Sequence, residues 1–140
     1  MSKKPSLWIV FGTRPEAIKM LPLVHKLKTD ERFDLTVCVT GQHREMLDQV
    51  MSVFNVKADI DLNVMKHGQS LSTLTVNILN KMEQAFLEHG KPDRVLVHGD
   101  TSTAFVVALS SFYHEVDVSH IEAGLRTFDI KTPFPEEANR

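Results

Sequence analysis

A chain of 140 residues can enclose one sizeable core, and its 42% apolar and 24% charged content is that of an ordinary globular domain. A formal charge of −2 gives no electrostatic reason to expect nucleic acid or an anionic membrane, and no apolar run approaches the ~18 residues of a membrane span. The single cysteine, Cys38, excludes an intrachain disulfide and fits a reducing, cytoplasmic compartment.

The opening MSKKPSLWIVFG has the basic-then-apolar order of a signal peptide. Gly-Thr-Arg-Pro-Glu follows at once with no small-residue cleavage site, so the run reads better as a buried first strand over Leu7 to Phe11. Pro15 suits the first position of a helix and Glu16 suits its positive end. Ala17, Ile18, Leu21, Val24 and Leu27 form its apolar stripe, and Pro22 predicts a kink or a late true start. A second strand covers Phe33 to Thr40, and a short helix follows from about Arg44 to Phe54. Ala58 to Leu62 reads as a short strand. Leu71, Leu74, Ile78, Met82 and Phe86 mark a long amphipathic helix closed near Gly90 and Pro92. Arg94 to His98 is the next strand, Thr101 to His114 the next helix and Val116 to Ile121 the last strand. Pro135 can open one more helix, of which this chain holds only Glu136 to Arg140, short of the two to three turns worth nucleating. Met46, Met51, Met65 and Met82 read as core filler. With no repeat or linker, the alternation predicts one α/β domain with a mostly parallel sheet.

In such sheets ligands bind outside the carboxyl ends of the strands. The residues that follow each strand are Gly12-Thr13-Arg14, Gly41-Gln42-His43, Gly99-Asp100-Thr101 and Glu122-Ala123-Gly124. Each end carries a polar or ionisable group, so a parallel sheet would gather them along one crevice.

The individual residues leave alternatives open. Gly12-Thr13-Arg14-Pro15 is either an anion cradle of backbone N–H groups and guanidinium, with Lys19 nearby, or a tight turn with a solvated arginine. Asp100 is either functional or an ordinary N-cap before Thr101-Ser102-Thr103. Glu122 closes an apolar strand, where a carboxylate is expensive unless paired or functional, and Arg126 is its nearest partner in sequence. Glu136 and Glu137 suit a helix start on macrodipole grounds alone. G-x-G-x-x-G, the Walker loop and G-x-S-x-G are all missing, which counts against nicotinamide, ATP and serine-hydrolase chemistry. The seven histidines have no short ligand spacing and Cys38 stands alone, so no metal site is expected.

FGTRPEAIKMLPLV, TGQHREMLDQV, LVHGDTSTAF, HIEAGLRTFD and PFPEEANR, in this order, resemble the signature blocks of the bacterial non-hydrolysing UDP-N-acetylglucosamine 2-epimerases, across the whole chain. The resemblance implies a Rossmann-like fold with helices on both faces of the sheet. Residues 1–140 would be the N-terminal half of a glycosyltransferase-B-like enzyme whose second domain, with the uridine pocket, lies outside this chain. It implies C2 inversion of UDP-GlcNAc to UDP-ManNAc, by elimination of UDP to 2-acetamidoglucal and re-addition, with no cofactor, supplying cell-surface polysaccharide synthesis. Carried over by motif, Arg14 and Lys19 contact substrate near the diphosphate and Asp100 and Glu122 lie at the sugar. Glu136 completes the catalytic carboxylates, and His43 joins the substrate-binding set. The full-length enzyme would be a cytoplasmic homodimer acting on a UDP-sugar, without nucleic acid or membrane. Some members bind a second UDP-GlcNAc as an activator, but Glu45 and His67-Gly68 depart from that pattern here, so allostery does not transfer. The competing readings are a hydrolysing relative that releases ManNAc and a sugar-nucleotide-binding module without catalysis.

Overall fold

The structure is a computed structural model and describes residues 3–140. Among these residues strands and helices alternate strictly: β1 (Ser6–Phe11), α1 (Arg14–Lys28), β2 (Asp34–Val39), α2 (Arg44–Val53), β3 (Ile60–Asp61), α3 (Leu71–His89), β4 (Arg94–His98), α4 (Ser102–Tyr113), β5 (Asp117–Ile121) and α5 (Glu136–Asn139). The strands form one sheet in the order β3-β2-β1-β4-β5, and every neighbouring pair is parallel.

Strand β1 explains why its sequence is a continuous apolar run. Trp8 and Val10 point to one face, where they meet Ile78, Met82 and Phe86 of α3 and Val107 of α4. Ile9 and Phe11 point to the other, where they meet Ala17, Met20, Leu21 and Val24 of α1 and Leu47 and Met51 of α2. Both faces are therefore covered by helices, as parallel sheets require. Each fully buried Val, Leu, Ile, Phe or Met side chain among them contributes about 1.5–3 kcal/mol.

Helix α1 runs from Arg14 to Lys28 without a late start, although Pro22 lies inside it. Pro22 is exposed and its neighbours Leu21 and Val24 are buried, so the carbonyl it leaves unbonded faces water while the packed side stays intact. Thr13 and Glu16 form a capping box at its start, with Pro15 in the first turn. Ser70 caps α3 by accepting from the Thr73 N–H, and Gly90, at φ 82, ends it. Met51 and Met82 are core filler as expected, whereas Met46 and Met65 are exposed. They border an open concavity of about 460 Å³ with His43, Arg44 and Glu45.

Gly12, just past β1, is needed for close approach. A Cβ there would lie 1.9 Å from Thr40 Oγ1 and 2.8 Å from Thr103 Oγ1, two hydroxyls already hydrogen-bonded to each other. Gly12→Ala is expected to lower stability by about 1–3 kcal/mol through overpacking, read as a drop in urea midpoint. An unchanged midpoint would contradict the packing described.

Candidate functional site

The strand order reverses direction between β1 and β4, which creates a crevice at their carboxyl ends. The loops after β1, β2, β4 and β5 all open on this edge, so Arg14, His43, Asp100 and Glu122 share it. A cavity of about 280 Å³ there is lined by Thr13, Gln42, His43, Asp100, Glu136 and Asn139, among others. It brings Glu136 to the same wall as Asp100 and His43.

Asp100 is not the N-cap of α4. Thr101 is, with its hydroxyl accepting from the Ala104 N–H at 3.1 Å. Two adjacent residues of capping type made the choice ambiguous in sequence, and Thr101 has the extended backbone that a cap needs. The Asp100 carboxylate instead meets Arg140, whose Nη2 donates to Asp100 Oδ2 at 2.9 Å and lies 3.4 Å from Glu122 Oε1. The Arg140 side chain is only 6% exposed, so this guanidinium bridges two carboxylates out of reach of bulk water. Arg140 Nη1 also donates to the Leu125 carbonyl, and Asn139 Nδ2 donates to the Asp100 carbonyl at 3.0 Å.

Glu122 does not pair with Arg126, contrary to the sequence expectation. Arg126 Nε donates to Glu137 Oε1 at 2.9 Å, and the Glu137 carboxylate also accepts from the Thr127 and Phe128 N–H groups. Solvent hardly reaches Glu137, which lies under the surface loop it organises. Desolvation alone would raise its pKa, but Arg126 and the two backbone donors together hold it below the usual carboxylate range.

Glu122 has other partners. Lys19 of α1 forms an ion pair with Oε2, and His98, the last residue of β4, places Nε2 3.3 Å from the same oxygen. Lys19 is the main reason the Glu122 pKa is depressed, with His98 and Arg140 adding to it against desolvation. Glu122 also sits at φ 64, a left-handed backbone conformation that costs a non-glycine residue about 1–3 kcal/mol. His98 is buried, and burial lowers its pKa despite the opposing pull of Glu122, so the imidazole is neutral at pH 7.

In the Gly12-Thr13-Arg14-Pro15 turn, the first two backbone N–H groups are not free for an anion. Glu16 Oε1 accepts from the Gly12 N–H at 3.2 Å, the Thr13 N–H at 3.1 Å and the Thr13 hydroxyl at 2.8 Å. An internal carboxyl group already occupies the donors a phosphate would use. Burial pushes the Glu16 pKa up to about 7 in spite of these bonds. Arg14 is exposed beside Ile18, Gln49 and Phe54, in a groove of about 260 Å³ between α1 and α2 rather than in the Asp100 cavity. A separate hollow of about 440 Å³ behind α2 holds the Arg44–Asp61 pair, both of whose charges are already satisfied. Among the described residues no His, Cys, Asp and Glu cluster has a metal-binding arrangement, and no helix is long and apolar enough to cross a membrane.

The family model described as UDP-N-acetylglucosamine 2-epimerase matches residues 25–140. The UDP-N-acetylglucosamine 2-epimerases of Neisseria meningitidis and Escherichia coli K12 are each 56% identical over 131 residues. Those residues are 94% of this chain and 35% of each relative, so the chain spans about a third of the length of the relatives it matches. The crystal structure of the N. meningitidis UDP-GlcNAc 2-epimerase bound to UDP-GlcNAc superposes with a TM-score of 0.89 at 54% identity. That superposition covers 96% of this chain and 37% of the other. A polar carboxyl edge on a parallel sheet and a match over most of its length lead to one assignment: the chain belongs to the UDP-N-acetylglucosamine 2-epimerase family.

Proposed function

We propose that this chain is the N-terminal domain of a non-hydrolysing UDP-GlcNAc 2-epimerase and supplies the proton-handling edge of its active site. The observation that carries the reading is the Asp100–Arg140–Glu122 bridge at the carboxyl edge of the sheet. The C2 hydrogen of a nucleotide sugar is weakly acidic, so its removal needs a well-placed carboxylate, and departure of UDP needs a stabilised diphosphate. Loss of the C2 proton and cleavage of the C1–O bond to UDP leave a C1=C2 double bond, as in 2-acetamidoglucal. Re-addition of UDP at C1 and of a proton at C2 from the other face gives UDP-ManNAc.

Asp100, Glu122 and Glu136 are the proposed catalytic groups. Arg140 bridges the first two and holds both carboxylates in place. His43, on the cavity wall, and Lys19, on α1, are the proposed substrate contacts. Arg14 lies one groove away and would serve a diphosphate only from the cleft side. In the full-length protein a second α/β domain would close over this edge and bring the uridine site, in the glycosyltransferase-B manner. The proposed whole is a cytoplasmic homodimer supplying UDP-ManNAc for surface polysaccharide.

Product analysis of the full-length protein with UDP-GlcNAc tests the reading. UDP-ManNAc is the expected product. Release of free ManNAc would mark a hydrolysing enzyme, and no conversion would mark a binding module. The 140-residue chain by itself is expected to bind UDP-GlcNAc weakly and to exchange no C2 hydrogen, since an open edge neither excludes water nor concentrates its charges. Micromolar affinity by calorimetry, or solvent deuterium at C2, would show that the rest of the site is here after all.

A further inference from the structure

Three side chains meet at Glu122 Oε2 and Oε1 in unequal ways. Arg140 is 6% exposed and pinned by Asp100, Glu122 and the Leu125 carbonyl, so it cannot leave without breaking several bonds. The Lys19 side chain is 57% exposed and ion-paired to Glu122, on the surface of α1. His98 is buried, stands 3.3 Å from Glu122 Oε2, and has no hydrogen bond at either ring nitrogen. A buried imidazole left unpaired at both nitrogens is unusual and calls for an explanation.

We propose that Lys19 is an exchangeable partner of Glu122: the diphosphate of a bound nucleotide sugar draws the lysine away, and the His98 imidazole replaces it by donating from Nε2 to the freed oxygen. The proposal rests on the nucleotide-sugar reading given above. Its physical basis is a competition between anions for one mobile cation. A diphosphate offers more charge and more acceptor oxygens than a carboxylate, and an exposed lysine pair is worth little in water. The lysine is therefore the one cation here that substrate can take.

The exchange changes what Glu122 can do. Lys19 is the largest cause of its depressed pKa, so removing the ammonium makes the carboxylate a better proton acceptor. A hydrogen bond from the imidazole holds the same oxygen in place. Arg140 stays on the other oxygen, and the left-handed backbone fixes the direction of the side chain. Proton affinity at the sugar would thus rise only when a diphosphate is bound. Lys19 and His98 are positioning residues in this scheme, and Lys19 becomes a substrate contact only in the bound state. The charged groups facing the pair are Lys19 from α1, Asp100 after β4 and Arg140 after α5.

The test is a carboxyl ¹³C titration of Glu122 in this chain, assigned with Glu122→Gln, together with ¹⁵N shifts of the His98 ring. Lys19→Met, with no ligand, should raise the Glu122 midpoint and bring His98 to the Nε2–H form hydrogen-bonded to it. Millimolar inorganic pyrophosphate added to the unmodified chain should shift the midpoint in the same direction, and should do nothing further in Lys19→Met. His98→Leu in the Lys19→Met background should leave Glu122 without its new partner, while His98→Gln, which keeps a donor near Nε2, should restore it. A Glu122 midpoint unmoved by Lys19→Met, an unengaged His98 in that variant, or a lysine pair that survives pyrophosphate would each overturn the proposal. None of these readouts depends on epimerase turnover, so the exchange can fail while product analysis still gives UDP-ManNAc, or hold if that analysis fails.

Discussion

Asp100→Asn and Glu122→Gln, each placed in the full-length enzyme, are expected to lower turnover by about 10²–10⁴-fold, the usual contribution of a proton-transfer group. The fold should survive both changes. Thr101, not Asp100, caps α4, so Asp100→Asn removes no helix cap, and the new amide oxygen can still accept from Arg140. Glu122 loses a partly exposed ion pair with Lys19, which contributes little to stability. Steady-state rates and melting curves on the same samples check this. A near-normal rate with a lowered melting temperature in Asp100→Asn would mean that the carboxylate serves structure alone.

Glu16→Gln should stabilise the protein at pH 8 by about 3 kcal/mol and leave it unchanged near pH 4. The Glu16 carboxyl is buried and its pKa is raised to about 7 from a reference of 4.5. Between these values the folded state holds a proton that the unfolded chain has lost, so stability falls as pH rises from about 4.5 through 7. Below 4.5 both states are protonated and nothing is lost. About 2.5 pKa units corresponds to roughly 3 kcal/mol. A glutamine keeps an oxygen acceptor for the Gly12 and Thr13 N–H groups and carries no charge at any pH. Urea midpoints at pH 4, 6 and 8 measure the effect. Parallel pH profiles for the two proteins would show that folding leaves the Glu16 pKa unshifted.

Much of the fold was legible because its signals are local. The apolar run of β1, the stripe of α3 and the glycine at its end each depend on neighbours within a few residues, and the observed limits differ from the expected ones by only a residue or two. Pro22 misled because its cost is also local, whereas the packing that offsets it comes from the sheet. At the site, the parallel pattern gathers Arg14, His43, Asp100 and Glu122 on one edge and the family resemblance adds Glu136, but partners are harder to read. Arg126 lies four residues from Glu122, yet it serves Glu137, eleven positions on. Arg140 reaches Asp100 and Glu122 across 40 and 18 residues, a pairing no spacing rule encodes. His98 read as the end of an ordinary strand, although strand alternation sets it opposite Val97, on the face that α1 covers. Glu16 reads as a first-turn acid, whereas its carboxyl group also accepts from the Gly12 and Thr13 N–H groups.

Deuterium at C2 is the most direct measurement of whether the Asp100–Arg140–Glu122 edge handles the sugar proton. Full-length enzyme is incubated with UDP-GlcNAc in D₂O, and the recovered nucleotide sugars are examined by mass and by ¹H NMR. The expected result is UDP-ManNAc carrying solvent deuterium at C2, with incorporation suppressed by at least about a hundredfold in Asp100→Asn and Glu122→Gln. Epimerised product that retains its original C2 hydrogen, or full incorporation in both variants, would contradict it.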